Sequence, residues 1–443
     1  MAGVFTVLPS SVFDYNLTTV NDQRIAQNLQ GGVIELTAGK MLGGSSALDH
    51  MIHVHGDPPD YDNWATILGD DSWSYKNIQQ YLKQQEKLTD PELLTSEFAS
   101  LHGTDGPIRI RKQSSSANDN LLAAFKELGH NVVDDTTSTT SSLGATEPLL
   151  EIDDQVQQSN AETYLGEAKS RSNLCVALHI TVTKILIENN VAVGVEVVDS
   201  NGDHSKLYAK KEVLVSAGGL NSPKILRLSG IGPRLHLESL VIDVIADLPV
   251  GENFQDHPSA VLFYQLEQDT SATPKANPYK FPVPTTCLYA TLNSEQTYPD
   301  YQSINLLFPH DSTATVQLCS NIFKYSDDVC NKWFAASAGR NTLFSVHNLM
   351  IPKSRGKLEL ASADYRDDPL VYTGTYSDSE GADLALMTKA LADFNKLTTT
   401  TYFKSVNGAL VDLGFCSDKK TESEFWECYA LSMSATMWHY MGT

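Results

Sequence analysis

Hydrophobic and polar positions are most regularly ordered between Val182 and Val198, where two β-branched runs meet at Glu188-Asn189-Asn190. Period-two patterning broken by an asparagine pair predicts a β-hairpin. An apolar run, Glu212-Val213-Leu214-Val215-Ser216, follows and reads as a strand. Gly218-Gly219 then turns the chain, and Ser222-Pro223 opens a helix that stops at Gly230. A strand that delivers the chain through glycines to a helix N-terminus is a layout that can hold a ligand phosphate. A further strand-like run, AVLFYQL, leads into a polar region at 266–285 with Pro274, Pro278, Pro282 and Pro284, which marks a change of subdomain. Residues 113–119 and 135–143 are Ser/Thr/Asp-rich and read as loops. The chain carries no fixed-period repeat and no run of about 18 apolar residues of the kind that spans a bilayer.

Composition narrows the class. The 443 residues include 32 basic and 54 acidic side chains, a formal charge of −22, with 41% hydrophobic residues. That length accommodates two or three domains and a substantial core. The acidic balance disfavours nucleic acid and anionic membranes as partners, because their phosphates would be repelled where no basic patch intervenes. Four of the six cysteines form two local pairs, Cys319 with Cys330 and Cys416 with Cys428. Two short bridges would imply an oxidising compartment; free thiols in a cytosolic protein are the alternative. One sequon, Asn16-Leu17-Thr18, is compatible with secretion, while the segment after Met1 lacks the basic start and long apolar middle of a signal peptide.

Two stretches concentrate candidate chemistry. In Gly39–Trp64, the adjacent Gly43 and Gly44 let backbone approach a flat or charged ligand, and Ser45 and Ser46 offer hydroxyls and a helix cap; a plain turn and cap is the simpler account. His50, His53 and His55 invite a metal reading. Residues 50 and 53 share a helix face and 53 and 55 a strand face, but no regular conformation puts all three on one side. Gly43-Gly44-Ser45-Ser46-Ala47 is a near miss to a nucleophile elbow, and with Asp256-His257 it suggests a hydrolase only weakly, since adjacent Asp and His seldom address one nucleophile. The second stretch is Met437–Thr443. There His439 lies between aromatics, where burial would favour the neutral, proton-accepting imidazole; a core histidine satisfied by a carbonyl is the alternative.

Three segments in order resemble the glucose–methanol–choline (GMC) family of FAD-dependent oxidoreductases: GKMLGGSSALDHMIHVHGDPPDYDNW, then KEVLVSAGGLNSPKILRLSGIGPRLHLESLVIDVIADLPVGENFQDHP, then WHYMGT. With HGTDGPIRI and NAETYLGEAKSRSNLCVALHITVTKIL between them, the resemblance covers nearly the whole chain. The Cys416/Cys428 segment looks most like the insect glucose-dehydrogenase-like branch, whose members are often extracellular. The resemblance implies a mixed α/β fold with a Rossmann-like FAD-binding domain and a second, antiparallel-sheet substrate domain. It divides the chain into residues 1–260, mainly FAD-binding with 76–155 partly belonging to the substrate side, 261–345 in the substrate domain, and 346–443 returning to the flavin.

By the same resemblance, Met41, Gly43, Gly44 and Ser45 run along the FAD pyrophosphate and flavin, Asp49, His50, Met51 and Ile52 lie against the isoalloxazine, and Val182 meets the adenine. Trp438 and His439 stand at the flavin face, His439 as the base that takes the hydroxyl proton of an alcohol or sugar while its hydride goes to flavin N5. An electron acceptor completes the cycle, and no metal is implied.

The departures set further expectations. The family usually has asparagine where this chain has Asp49, so a carboxylate there would lower the flavin potential by like-charge repulsion, unless it caps a helix and turns away. No Gly-x-Gly-x-x-Gly turn is found, and residues that the family places beyond the catalytic histidine do not follow His439, so the chain reads as truncated at both ends, with weak FAD binding. Two alternatives stand beside an alcohol oxidoreductase: a non-catalytic remnant that binds a partner, and a flavin-bound hydroxynitrile lyase.

Overall fold

The computed structural model describes residues 8–137, 141–154, 156–269 and 283–443. Its centre is an antiparallel sheet built on the strand Pro258–Gln268, which pairs with Arg340–Leu349 on one side and with Ala409–Leu410 and Ser434–Thr436 on the other. Tyr301–Phe308, Thr285–Ala290 and Gly144–Thr146 extend the sheet beyond Arg340–Leu349. Continuous apolar runs such as Ala260–Tyr264 suit this position because both faces of the sheet are covered. Successive side chains leave opposite faces. Phe263 therefore stacks on Trp333 of the helix Asp327–Ala336, at 5.0 Å, while Tyr264 meets Phe403 and Phe394, the latter on the helix Ala382–Asn395. Each aromatic buried this fully contributes about 1.5–3 kcal/mol.

A second, three-stranded sheet holds the predicted hairpin: Thr181–Glu188 pairs antiparallel with Val191–Val198, and His204–Tyr208 adds to the outer edge. Asn189 and Asn190 take left-handed φ of 51° and 63°, the geometry that lets a two-residue turn follow the strand twist. Together the antiparallel sheets and their helices make a mixed α/β fold.

Two expectations need correction. Glu212–Ser216 forms no strand: the segment pairs with nothing among the described residues, and Leu214 is 80% exposed. An apolar run becomes a strand only where a neighbour takes its backbone hydrogen bonds. The helix after it spans Gly218–Leu228, starting four residues before Ser222, so Pro223 lies inside it. Proline cannot donate to the carbonyl four residues back. Here that carbonyl, on Gly219, accepts from Thr443 Oγ1 at 2.6 Å instead.

Both cysteine pairs are disulfides, Cys319–Cys330 and Cys416–Cys428, with Cα separations of 5.7 and 5.8 Å. Cys175 and Cys287 are free, the first exposed and the second buried. No helix among the described residues is long and apolar enough to cross a membrane. Pro274, Pro278 and Pro282 lie outside the described residues, as do 138–140 of the polar stretch 135–143.

Candidate active site

The site is assembled where residues 434–441 run alongside residues 255–260. Ser434–Thr436 pairs with Pro258–Ala260, and Gln255 and Met441 exchange backbone hydrogen bonds of 2.9 and 2.8 Å further on. This double anchorage puts His439 opposite His257, their Nδ1 atoms 2.9 Å apart and their rings nearly perpendicular at 89°. A hydrogen bond between two imidazole nitrogens needs one lone pair, so the couple cannot hold a proton on both facing atoms.

Asp256 fixes both backbones. Its Oδ1 accepts from the N–H of His257 at 2.8 Å and of His439 at 3.1 Å, while its Oδ2 accepts from the Thr436 hydroxyl. Burial raises this carboxyl to about 7, against the pull of those donors. His439 is crowded by protein on most sides, although part of its ring still meets solvent. That crowding, followed by the neighbouring His257 and His50, holds it down at about 3, and burial likewise holds His257 and His50 at about 4. All three imidazoles are neutral at physiological pH.

The flanking aromatics lock the segment to the other end of the chain. Trp438 Nε1 donates to the Glu35 carbonyl at 2.9 Å, and the Tyr440 hydroxyl donates to the Thr37 carbonyl. Trp438, at a left-handed φ of 60°, presents its ring to Phe323 at 5.3 Å and to His50 at 5.8 Å. His50 thus joins the His439 neighbourhood from the glycine-rich segment. Asp49 precedes it at the exposed edge, where its Oδ1 accepts from the Met51 N–H and from Gln157 Nε2, each at 3.0 Å. This is an Asx turn, which carries Met51 at φ 61°, and not a helix cap. Burial, then Glu151, raises Asp49 to about 7.

Met51 is buried and Ile52 bridges to Leu150. Met41 opens the turn in which the Gly44 N–H donates to its carbonyl at 3.0 Å, Ser45 Oγ accepts from the Gly39 N–H, and Ser46 Oγ donates to the Gly43 carbonyl. Val182 stands apart, in the three-stranded sheet.

Whether these residues fit a flavin dinucleotide can be judged from the backbone. Gly43 and Gly44 are both left-handed, and a Cβ on Gly44 would meet no atom within 4 Å. Gly218, at the start of the helix Gly218–Leu228, is left-handed with the same open space. Bare backbone of this kind, open to its surroundings, accepts a flat or anionic group. It adjoins the segment that carries His50, so the residues present fit the group on this side. His257, Asp256 and Thr436 were not legible as partners of His439; the Asp256-His257 pair was visible only as a weak hydrolase signature.

Family models described as GMC oxidoreductase match residues 17–259 and 352–443. The ecdysone oxidases of Bombyx mori and Spodoptera littoralis are 33% and 34% identical, over 98% and 100% of this chain and 67% and 76% of theirs. Among solved structures, the formate oxidase of Aspergillus oryzae, an FAD protein, superposes with a TM-score of 0.81 at 20% identity, covering 100% of this chain and 80% of that one.

Proposed function

The chain belongs to the GMC oxidoreductases, a family of FAD enzymes acting on CH–OH groups, and from that premise we propose that it oxidises an alcohol with His439 as the proton acceptor. The observation that carries the reading is the His439–His257 contact, which pairs a neutral imidazole with a second ring that orients it. With His439 donating through Nδ1–H to His257 Nδ1, the lone pair of His439 Nε2 is left for the substrate hydroxyl. In that tautomer His257 carries its own proton on its far nitrogen, consistent with a backbone hydrogen bond at Met350 that opposes the depression of its pKa. Asp256 keeps both backbones in register, and Trp438 and Tyr440 tie the strand down so that the ring holds its place as the proton moves. Bound FAD supplies the two-electron acceptor for the hydride that leaves the carbinol carbon.

Met41, Gly43, Gly44, Ser45, Asp49, His50, Met51, Ile52 and Trp438 form the flavin-side surface in this proposal, and Val182 the adenine side. The flavin-binding region is assigned to residues 1–260, the substrate region to 261–345, and the return to the flavin to 346–443. Similarity to two ecdysone oxidases over nearly the whole chain favours a steroid alcohol over a sugar. Two disulfides support an oxidising, extracellular setting. The test is turnover by FAD-supplemented protein, with oxygen uptake and dye reduction measured on ecdysone and on glucose. Oxidation of the steroid, abolished in His439→Ala, is the expected result; no oxidation of either compound at any FAD concentration would overturn the proposal.

A further inference from the structure

Beyond the flavin-facing residues, the chain enters a buried cluster that the oxidation does not use. From Ile52 onward the backbone is extended: Ile52 bridges to Leu150, and the His53 N–H donates to the Leu149 carbonyl at 2.9 Å. His53 and His55 therefore leave the same side of the chain. His50 lies elsewhere, against Trp438. The third partner comes from a different element. Glu86 follows the helix Tyr75–Gln85 and begins the strand Glu86–Leu88, which pairs with Ile108–Ile110, and its side chain is fully buried.

The donor atoms converge. His53 Nε2 lies 2.8 Å and His55 Nε2 2.9 Å from the same oxygen, Glu86 Oε2, and the three ligand atoms all lie within 4.8 Å of one another. Tetrahedral zinc, with bonds of about 2.0–2.2 Å, sets its ligand atoms roughly 3.3 Å apart, so the two nitrogen–oxygen edges open by a few tenths of an ångström and the nitrogen–nitrogen edge, at most 4.8 Å, closes toward the same length.

The outer partners have the arrangement a metal site needs. His53 Nδ1 faces Glu151 Oε1 at 3.0 Å, the carboxylate–histidine contact that fixes the ring and raises its basicity. Glu86 Oε1 is held by His102 Nδ1 at 3.1 Å and by the Gly103 N–H at 2.9 Å, and His102 Nε2 in turn faces Asp135 Oδ2 at 2.6 Å. His55 Nδ1 is buried with no hydrogen-bond partner among the described residues. His53 and His102 each lie between two carboxylates.

We propose that His53 Nε2, His55 Nε2 and Glu86 Oε2 are the protein ligands of a divalent d-block cation, zinc first among them, with a fourth position open to water. Two imidazoles and one carboxylate favour this class over magnesium or calcium, which prefer oxygen alone. None of the three ligands is assigned to the flavin, although the outer carboxylate Glu151 also acts on Asp49.

The test uses the full-length untagged protein, stripped with chelator, incubated with zinc and passed over gel filtration before elemental analysis. About one zinc per chain is expected. Cobalt in place of zinc should give the visible d–d absorption of a four-coordinate ion. His55→Gln should lose the metal while leaving the circular dichroism of the stripped protein unchanged, because the His55 side chain makes a single hydrogen bond there. Glu151→Gln should weaken binding by about 10–100-fold through the ring it orients. Wild-type protein without retained zinc or cobalt absorption would overturn the proposal. So would zinc retained equally by His55→Gln, since the ion would then lie elsewhere.

Discussion

The replacement of His257 by leucine separates two jobs that the structure assigns to this ring. His257 orients His439 through the 2.9 Å contact between Nδ1 atoms, and it is the second cause, after burial, of the depressed His439 pKa. The lost hydrogen bond is worth about 1 kcal/mol, or about fivefold in rate, at any pH where His439 is neutral. The electrostatic effect acts only in acid. Removing His257 takes away only the smaller cause and leaves burial, so His439 rises from about 3 but stays below the ordinary 6.5. The variant is thus expected to be about fivefold slow at pH 8, with any further loss confined to the acid end of the profile, whereas the wild-type profile stays flat from pH 5 to 8. The assay is the single-turnover rate of flavin reduction by substrate, followed anaerobically at half-unit pH steps, with a thermal melt at each pH to confirm folding. A variant as fast as wild type at pH 8 would refute the reasoning.

Further expectations concern other parts of the molecule. His347 is fully buried between Ser345 Oγ and the Phe394 ring, and burial holds it at about 3. Above pH 6.5 it is neutral both folded and unfolded; below 6.5 only the unfolded chain takes up the proton, so stability falls with pH down to about 3. From pH 7 to 5 this amounts to about 2 kcal/mol, and urea titrations of His347→Gln should lack that share of the acid loss; an unchanged pH slope would count against it. Asp49, raised to about 7, should repel a reduced flavin only when ionised. Potentiometric titration of Asp49→Asn should therefore show a higher flavin potential than wild type above pH 7 and convergence below about 6, and a constant gap would refute this. Alkylation followed by mass spectrometry should find one reactive thiol, Cys175, in native protein, two after unfolding, and all six after reduction. Additional thiols before reduction would contradict the bridges.

What the sequence revealed and what it concealed divide along physical lines. The hairpin at Val182–Val198 was legible because its two strands are neighbours in the chain and a single asparagine pair sets the register. Glu212–Ser216 was misread because apolarity signals that a strand is possible, while its existence depends on a partner elsewhere. The helix start was misplaced because Pro223 usually marks the first turn, and its actual tolerance depends on the Thr443 hydroxyl, 220 residues away in the chain. His439 could be singled out by its aromatic flanks and by the family motif. Its partner could not, since local patterning carries no information on which strands lie side by side. His53 and His55 were seen together, but as one member too many of a trio with His50. Glu86, the residue that makes sense of them, lies more than thirty positions on in an ordinary helix-to-strand junction.

The closing strand also has a bearing on how the molecule is made. His439 reaches His257 across 182 residues, and Trp438 and Tyr440 reach Glu35 and Thr37 across 403. Contacts so distant along the chain form late, because each must repay the entropy of a long loop before it contributes anything. A nascent polypeptide can thus complete its hairpins and local helices while His439 is still unplaced. Docking of residues 434–441 then covers the strand edge at Pro258–Ala260, which is open until that pairing forms.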